Sequence, residues 1–392
     1  GGEAFAGCTS LKTIVFGANV TTLDRGVLRG CTSLTEVSLP KKLTIIPREC
    51  FVNCPALSKV ILPEGLTTIQ SYAFENCSSL QTIQLPSTIR VMTQAFAGCT
   101  GLVEIEIPEG VSILDNTFMD CPNLSKVTLP SSLTTIGTQA FRRCSNLVSL
   151  HIPSGVTNIG SSAFAECIAL SNIVLPNGLT TLGDYAFQDC RALSKIVLPN
   201  KLTSVPTQAF VNCQSLADVT LPVGLKSIGS SAFNGCGSLN TIQLPQGLTS
   251  IKDYAFCECA GLTSLTIPST VMSLGSSILS NSHGITAINL LPLMPPTISS
   301  NTFSGAPANM AINVLCGNKE FYVEDANWKS QQNRMYEIPA AVLSVKASDN
   351  RMGEVIVVAP NTCTSDEATI QAIPREGCEF VAWNDGNTEN QR

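Results

Sequence analysis

The sequence predicts a curved, right-handed solenoid with a parallel β-sheet, built from stacked coils and followed by a small β-rich module. Three observations carry that prediction. One Cys recurs at positions 8, 31, 54, 77, 99, 121, 144, 167, 190, 213, 236 and 259, a step of 23 residues with two steps of 22. A Leu stands three residues after each of these cysteines, from Leu11 and Leu34 through Leu147 to Leu262. The chain has 392 residues, longer than a single globular core sustains, yet aromatic residues make up only 6% and charged residues 13%. A linear stack resolves that tension, because each coil needs to bury apolar surface only against its neighbours.

The coil that starts at Cys167 shows the elements in order. Leu170 is followed by Ile173 and Leu175, which are two apart and so point to one side of a short strand, while Asn172 and Val174 point to the other. Pro176 removes a ladder donor and ends the strand. Leu179 and Leu182 mark a second extended stretch. Ala186-Phe187 and the residues up to Cys190 are expected to form a short helical or 3₁₀ turn on the opposite side.

Equivalent residues superpose when such coils stack in parallel. Phe74, Phe96, Phe118, Phe141, Phe164 and Phe187 should therefore form a continuous aromatic column inside the solenoid. The pattern weakens at both ends. Val27-Leu28 and Cys50-Phe51 replace Ala-Phe early, and Ile278-Leu279 with Ser282 replace Ala-Phe and Cys in the last coil.

The run Leu-x-x-Ile-x-Leu-Pro-x-x-Leu-Thr-x-Ile-Gly-x-x-Ala-Phe-x-x-Cys, seen with small variations from Leu216 to Cys236, resembles the BspA-like leucine-rich repeat. The resemblance covers roughly three quarters of the chain. It implies a leucine-rich-repeat solenoid, and a surface-exposed or secreted protein of host-associated bacteria with adhesion or host-protein binding among its members.

Residues 1–292 are assigned to the solenoid, with about 12–13 coils, 293–339 to a capping segment and 340–392 to the β module. In the capping segment Thr302-Phe303 echoes Ala-Phe, and Ile312-Asn313-Val314 with Gly317, Tyr322 and Trp328 is similar to the family's closing strand and short helix. Expected strands in the β module are Val342 to Ala347, Glu354 to Val358, Ala368 to Ile373 and Glu379 to Trp383, with Asp385-Gly386 as a hairpin signal. Its ending, from Phe380 to Arg392, resembles a divergent internalin B-repeat, with Gln391 where a proline is usual. Gly1 falls inside a repeat, so an upstream segment is expected.

Net charge is −6, which offers no basic face for phosphates, so nucleic acid is not an expected partner. No apolar run reaches membrane-spanning length. The recurrent cysteines read as small buried packing residues, with a few bridges along the column as the alternative. Cys257-x-Cys259 lacks a second ligand pair at zinc spacing. Cys363 and Cys378, both in the β module, are the best disulfide candidates, with bridged and free thiols at even odds. The two histidines, His151 and His283, have no triad partners nearby, and no nucleotide or metalloprotease motif occurs. No catalytic residue, metal or cofactor is expected.

The outward strand positions carry the candidate site. Five residues after each Cys the column includes Lys59, Glu104, Lys126, Asn172, Lys195 and Asp218, and two further on it includes Ile61, Glu106, His151, Val174 and Val197. Apolar residues among polar ones on such a face suit ligand binding, although β-branched residues also simply favour strands. The expected reading is a monomeric, extracellular or surface-bound, non-catalytic adhesin-like protein that engages a host extracellular protein or glycan. The alternative is an accessory or stalk region of a larger surface enzyme or glycan-processing assembly.

Overall fold

The computed structural model describes residues 2–338, Cys363, and the strands Gly353–Ala359 and Thr369–Pro374. Residues 2–338 form a solenoid of parallel coils. On one side, short strands such as Asn172–Val174 and Lys195–Val197 bury their central residue and expose the two flanking ones. Pairing follows the sequence period: Glu36 lies opposite Lys59, Ser149 opposite Asn172, and Glu104 opposite Lys126 across a 22-residue step. A second set of strands, among them Thr135–Ile136, Asn158–Ile159 and Thr181–Leu182, makes a separate parallel ladder in the expected second extended stretch. Between the two ladders the Pro carbonyl accepts the N–H of the Leu three residues on, as in Pro63–Leu66 and Pro176–Leu179. Proline thus ends one strand and opens the turn that leads to the next.

The Ala-Phe segment differs from the expected short helical or 3₁₀ turn. It is a run of separate tight turns, for example Gln70 to Ala73 and Phe74 to Cys77, each closed by an N–H to carbonyl bond of 3.2 Å. Residues four apart adopt left-handed backbone there, such as Tyr72 (φ 61°) and Asn76 (φ 60°), or Asp120 (φ 58°) after Asn116 (φ 48°). Right-handed helical turns cannot propagate through such residues. The turned segment instead bonds to the next coil. Tyr72, Phe74 and Asn76 donate their N–H groups to the carbonyls of Gln94, Ala95 and Ala97, each at 2.9 Å.

The core is the expected column. From Phe51 to Phe256 successive rings stack with centroids 5.2 to 5.9 Å apart. The repeat cysteines from Cys31 to Cys259 are buried free thiols. Each of them donates to a carbonyl in the preceding coil, as Cys77 Sγ does to Phe51 at 3.2 Å and Cys167 Sγ to Phe141 at 3.0 Å. Where the column loses its cysteine, Ser282 Oγ makes the same bond to Phe256 at 2.7 Å. The position therefore selects a small side chain with a donor as well as low polarity.

After the last coils the strand Ala311–Leu315 extends the sheet, and the helix Lys319–Glu324, a 3₁₀ turn at Lys329–Arg334 and the strand Met335–Ile338 follow it. Tyr322 and Trp328 are fully buried, and their polar ends donate to the Pro292 and Pro296 carbonyls at 2.9 and 2.8 Å. Large apolar surface with a satisfied polar tip is what covering an open coil end demands.

The expected disulfide is corrected. Cys363 is bonded to Cys316, in the segment just after the strand Ala311–Leu315. A shared place in the β module points to Cys378, but the partner comes from outside that module. The strands expected at Glu354 to Val358 and Ala368 to Ile373 are present as an antiparallel pair, Gly353–Ala359 with Thr369–Pro374. The strands expected at Val342 to Ala347 and Glu379 to Trp383, the Asp385-Gly386 turn, the internalin-like ending and Cys378 lie outside the described residues.

Candidate ligand-binding face

Backbone alternation decides which side chains reach solvent. Lys59, Ile61, Glu104, Glu106, Lys126, His151, Asn172, Val174, Lys195, Val197 and Asp218 all occupy flanking strand positions and are all exposed. The structure therefore brings the sequence-predicted residues onto one face, stacked at the coil spacing. Most of the charged members pair vertically. Lys59 Nζ lies 3.9 Å from Glu36, Lys126 Nζ 3.1 Å from Glu104, and Lys195 Nζ 2.6 Å from Asp218. All six side chains are at least half exposed, so each pair contributes about 0–1 kcal/mol and remains free to exchange partners.

Ile61 and Val197 share their strands with Lys59 and Lys195, and Val174 lies between the Glu104–Lys126 and Lys195–Asp218 pairs. Val174 is 73% exposed, Ile61 51% and Val197 49%. Val174 sits directly opposite His151 in the ladder. Solvent exposure of this size at β-branched positions costs folding nothing locally but leaves apolar area for a partner to cover.

Sequence reasoning missed the C-terminal part of the same face. There Asn313 donates its amide to Asn289 at 2.8 Å, and Asn289 donates to Thr266 at 3.1 Å, with exposed Tyr336 next in register. The signal was the same period, which passes through Thr266 and on beyond the last Cys. A groove of about 220 Å³ lies just before it, lined by Thr241, Gln243, Gln246, Ser264 and Thr266 over Ile242, Leu244, Pro268 and Leu291.

A second concave feature lies along the turns and closes on its own charges. Arg143 bridges Asp120 and Glu166 at 3.3 and 2.9 Å, and Arg142 reaches Glu166 at 3.1 Å. Burial pushes the Glu166 carboxyl up, but the hydrogen bonds from Arg143 and Arg142 outweigh it and hold that carboxyl below its ordinary range. Among the described residues no group of acidic, His and Cys side chains could hold a metal ion, and no helix is long and apolar enough to cross a membrane.

A family model described as the BspA type leucine rich repeat region matches residues 1–116, 87–194, 111–221 and 180–310. The chain belongs to this BspA-type leucine-rich-repeat family. The BspA-type fold is shared with a leucine-rich repeat protein from Bacteroides ovatus at 25% identity and a TM-score of 0.67, over 80% of this chain and 86% of that one. It is also similar to a leucine rich cell surface protein from Faecalibacterium prausnitzii at 31% identity and a TM-score of 0.51, over 71% of this chain and 86% of the other. No curated protein matches the chain.

Proposed function

We propose that this BspA-type chain is a non-catalytic, adhesin-like binding protein of the bacterial surface or exterior, and that it holds a host extracellular ligand on its exposed strand face. The observation that carries this reading is the alternation on one rigid face of exposed Ile61, Val174 and Val197 with the pairs Glu36–Lys59, Glu104–Lys126 and Lys195–Asp218. Apolar patches ringed by polar groups are the ordinary make-up of a protein-binding surface. The likeness to a protein described as a cell surface protein supports the location, and the Cys316–Cys363 disulfide supports an oxidising compartment.

Binding of the purified chain to immobilised extracellular-matrix proteins tests the reading, with a Lys59→Glu, Val174→Asp, Val197→Asp variant alongside. Saturable binding that the variant loses, at an unchanged circular dichroism spectrum, supports it. Binding that the variant retains in full moves the site off this face.

A further inference from the structure

Going from Lys195 towards the C-terminus, the strand face changes chemistry. Asp218 is paired with Lys195, and beyond it the outward positions Thr220, Thr241, Gln243, Ser264, Thr266, Asn289 and Asn313 carry hydroxyls and amides with no charge. None of the large exposed apolar side chains falls on these positions between Val197 and Tyr336. Up to Tyr336 these strand positions carry neither charge nor a large apolar side chain, the exposed Leu293 and Met294 lying beyond the end of the strand Ala287–Leu290.

The sheet is also open here. Asp218–Thr220 pairs back to Lys195–Val197, and Ser264–Ile267 pairs forward to Ala287–Leu290. Among the described residues no backbone hydrogen bond joins Thr241–Leu244 to either neighbouring strand. The N–H and C=O groups that would continue the ladder are left for another partner, and such groups are costly to leave unpaired once covered. The same pentapeptide, Thr82-Ile83-Gln84-Leu85-Pro86, leaves the same opening in an earlier coil, but charged Lys59 and Glu104 stand in the flanking coils there. The later opening has a charge on one side only, Asp218, already paired with Lys195, and uncharged Ser264 on the other, and it lines a groove of about 220 Å³.

We infer that this groove and the Thr266–Asn289–Asn313 ladder form a subsite for an uncharged oligosaccharide, with Tyr336 at its far end. The inference deepens the proposed strand-face function and rests on it. Sugar hydroxyls donate and accept together, which matches Gln and Asn amides, Thr and Ser hydroxyls and unpaired backbone groups in one row. Leu244, Pro268 and Leu291 supply apolar surface for the C–H face of a ring, and Tyr336 a surface for stacking. From Gln243 to Tyr336 the row spans four coil steps, roughly 19 Å at about 4.8 Å each, so it suits a chain of sugars rather than a single one.

The test is calorimetric titration with neutral hexasaccharides (cellohexaose, chitohexaose, mannohexaose) and with a sulfated oligosaccharide as the charged control, at low and high salt. At least one neutral sugar is expected to bind with an affinity that salt leaves unchanged. A Gln243→Ala, Thr266→Ala, Asn289→Ala variant with unaltered melting should bind it about tenfold or more weakly, whereas Ile45→Asp, Ile113→Asp, on the second ladder, should bind normally. No binding by any neutral sugar, binding confined to the sulfated one, or loss in the Ile45, Ile113 variant instead would overturn the inference. If matrix proteins bind through Val174 and Val197 while the sugars do not, the subsite fails and the strand-face reading stands.

Discussion

At the scale of single residues, the repeat cysteines serve as hydrogen-bond donors inside an apolar column. Burial raises their thiols, with Cys54, Cys167 and Cys259 pushed up to about 12. Unfolding releases these thiols to ordinary values near 9, so the unfolded chain loses protons before the folded one does. The stability they contribute is therefore complete below about pH 9 and is lost as pH climbs toward 12, at up to ~1.4 kcal/mol per pH unit for each thiol. Urea midpoints measured from pH 7 to 10.5 should fall steeply above 9; a flat profile would show that the thiols ionise equally in both states. Cys190 donates to the Phe164 carbonyl at 3.2 Å, in the manner of Ser282. Cys190→Ser is expected to cost about 1 kcal/mol, and Cys190→Val, which lacks the donor and adds a branch against the Phe column, about 1–3 kcal/mol. Equal losses would mean that the donor is irrelevant.

At the scale of elements, stacking makes each coil depend on its neighbours. Phe164 packs between Phe141 and Phe187 with centroids 5.5 and 5.3 Å away, so Phe164→Ala should cost about 3–5 kcal/mol. Hydrogen exchange should place that loss in the adjoining coils, and protection unchanged there would contradict the stacking argument. Strand alternation and the Phe column could be read from the chain because twelve near-copies of one unit repeat the same apolar spacing. The turns could not be read in full. Asn76, Asp120 and Asn212, each just before a Cys, are residue types that tolerate left-handed backbone, but Tyr72 and Gln139 take it up without any compositional sign. Gln139→Gly should accordingly stabilise the fold by about 0.5–1 kcal/mol. The vertical ion pairs follow from opposite charges one period apart, as at Lys195 and Asp218, which stacking makes neighbours. Cys316 lies outside the repeat, where no period points to a partner. Peptide mapping without reductant should recover Cys316 linked to Cys363, and a Cys363–Cys378 peptide would refute that pairing.

At the scale of the whole molecule, folding supplies rigidity and the outward columns supply the function proposed for them. Opposite ladders expose comparable apolar residues: Ile45 and Ile113 on one, at 43% and 49%, and Val174 and Val197 on the other, at 73% and 49%. Only the second set alternates with exchangeable charge pairs and continues into the neutral amide ladder. Both ladders therefore present exposed β-branched side chains, and the charge pairs accompany those on the second. The most direct measurement compares the affinity of Val174→Asp, Val197→Asp with that of Ile45→Asp, Ile113→Asp for a matrix protein that the wild-type chain binds. The account expects the first variant to bind about thirtyfold or more weakly, from two lost anchors of ~1–2 kcal/mol each, and the second to match wild type. Equal weakening in both, or loss in the second alone, would contradict the claim that the exposed strand face is the binding site.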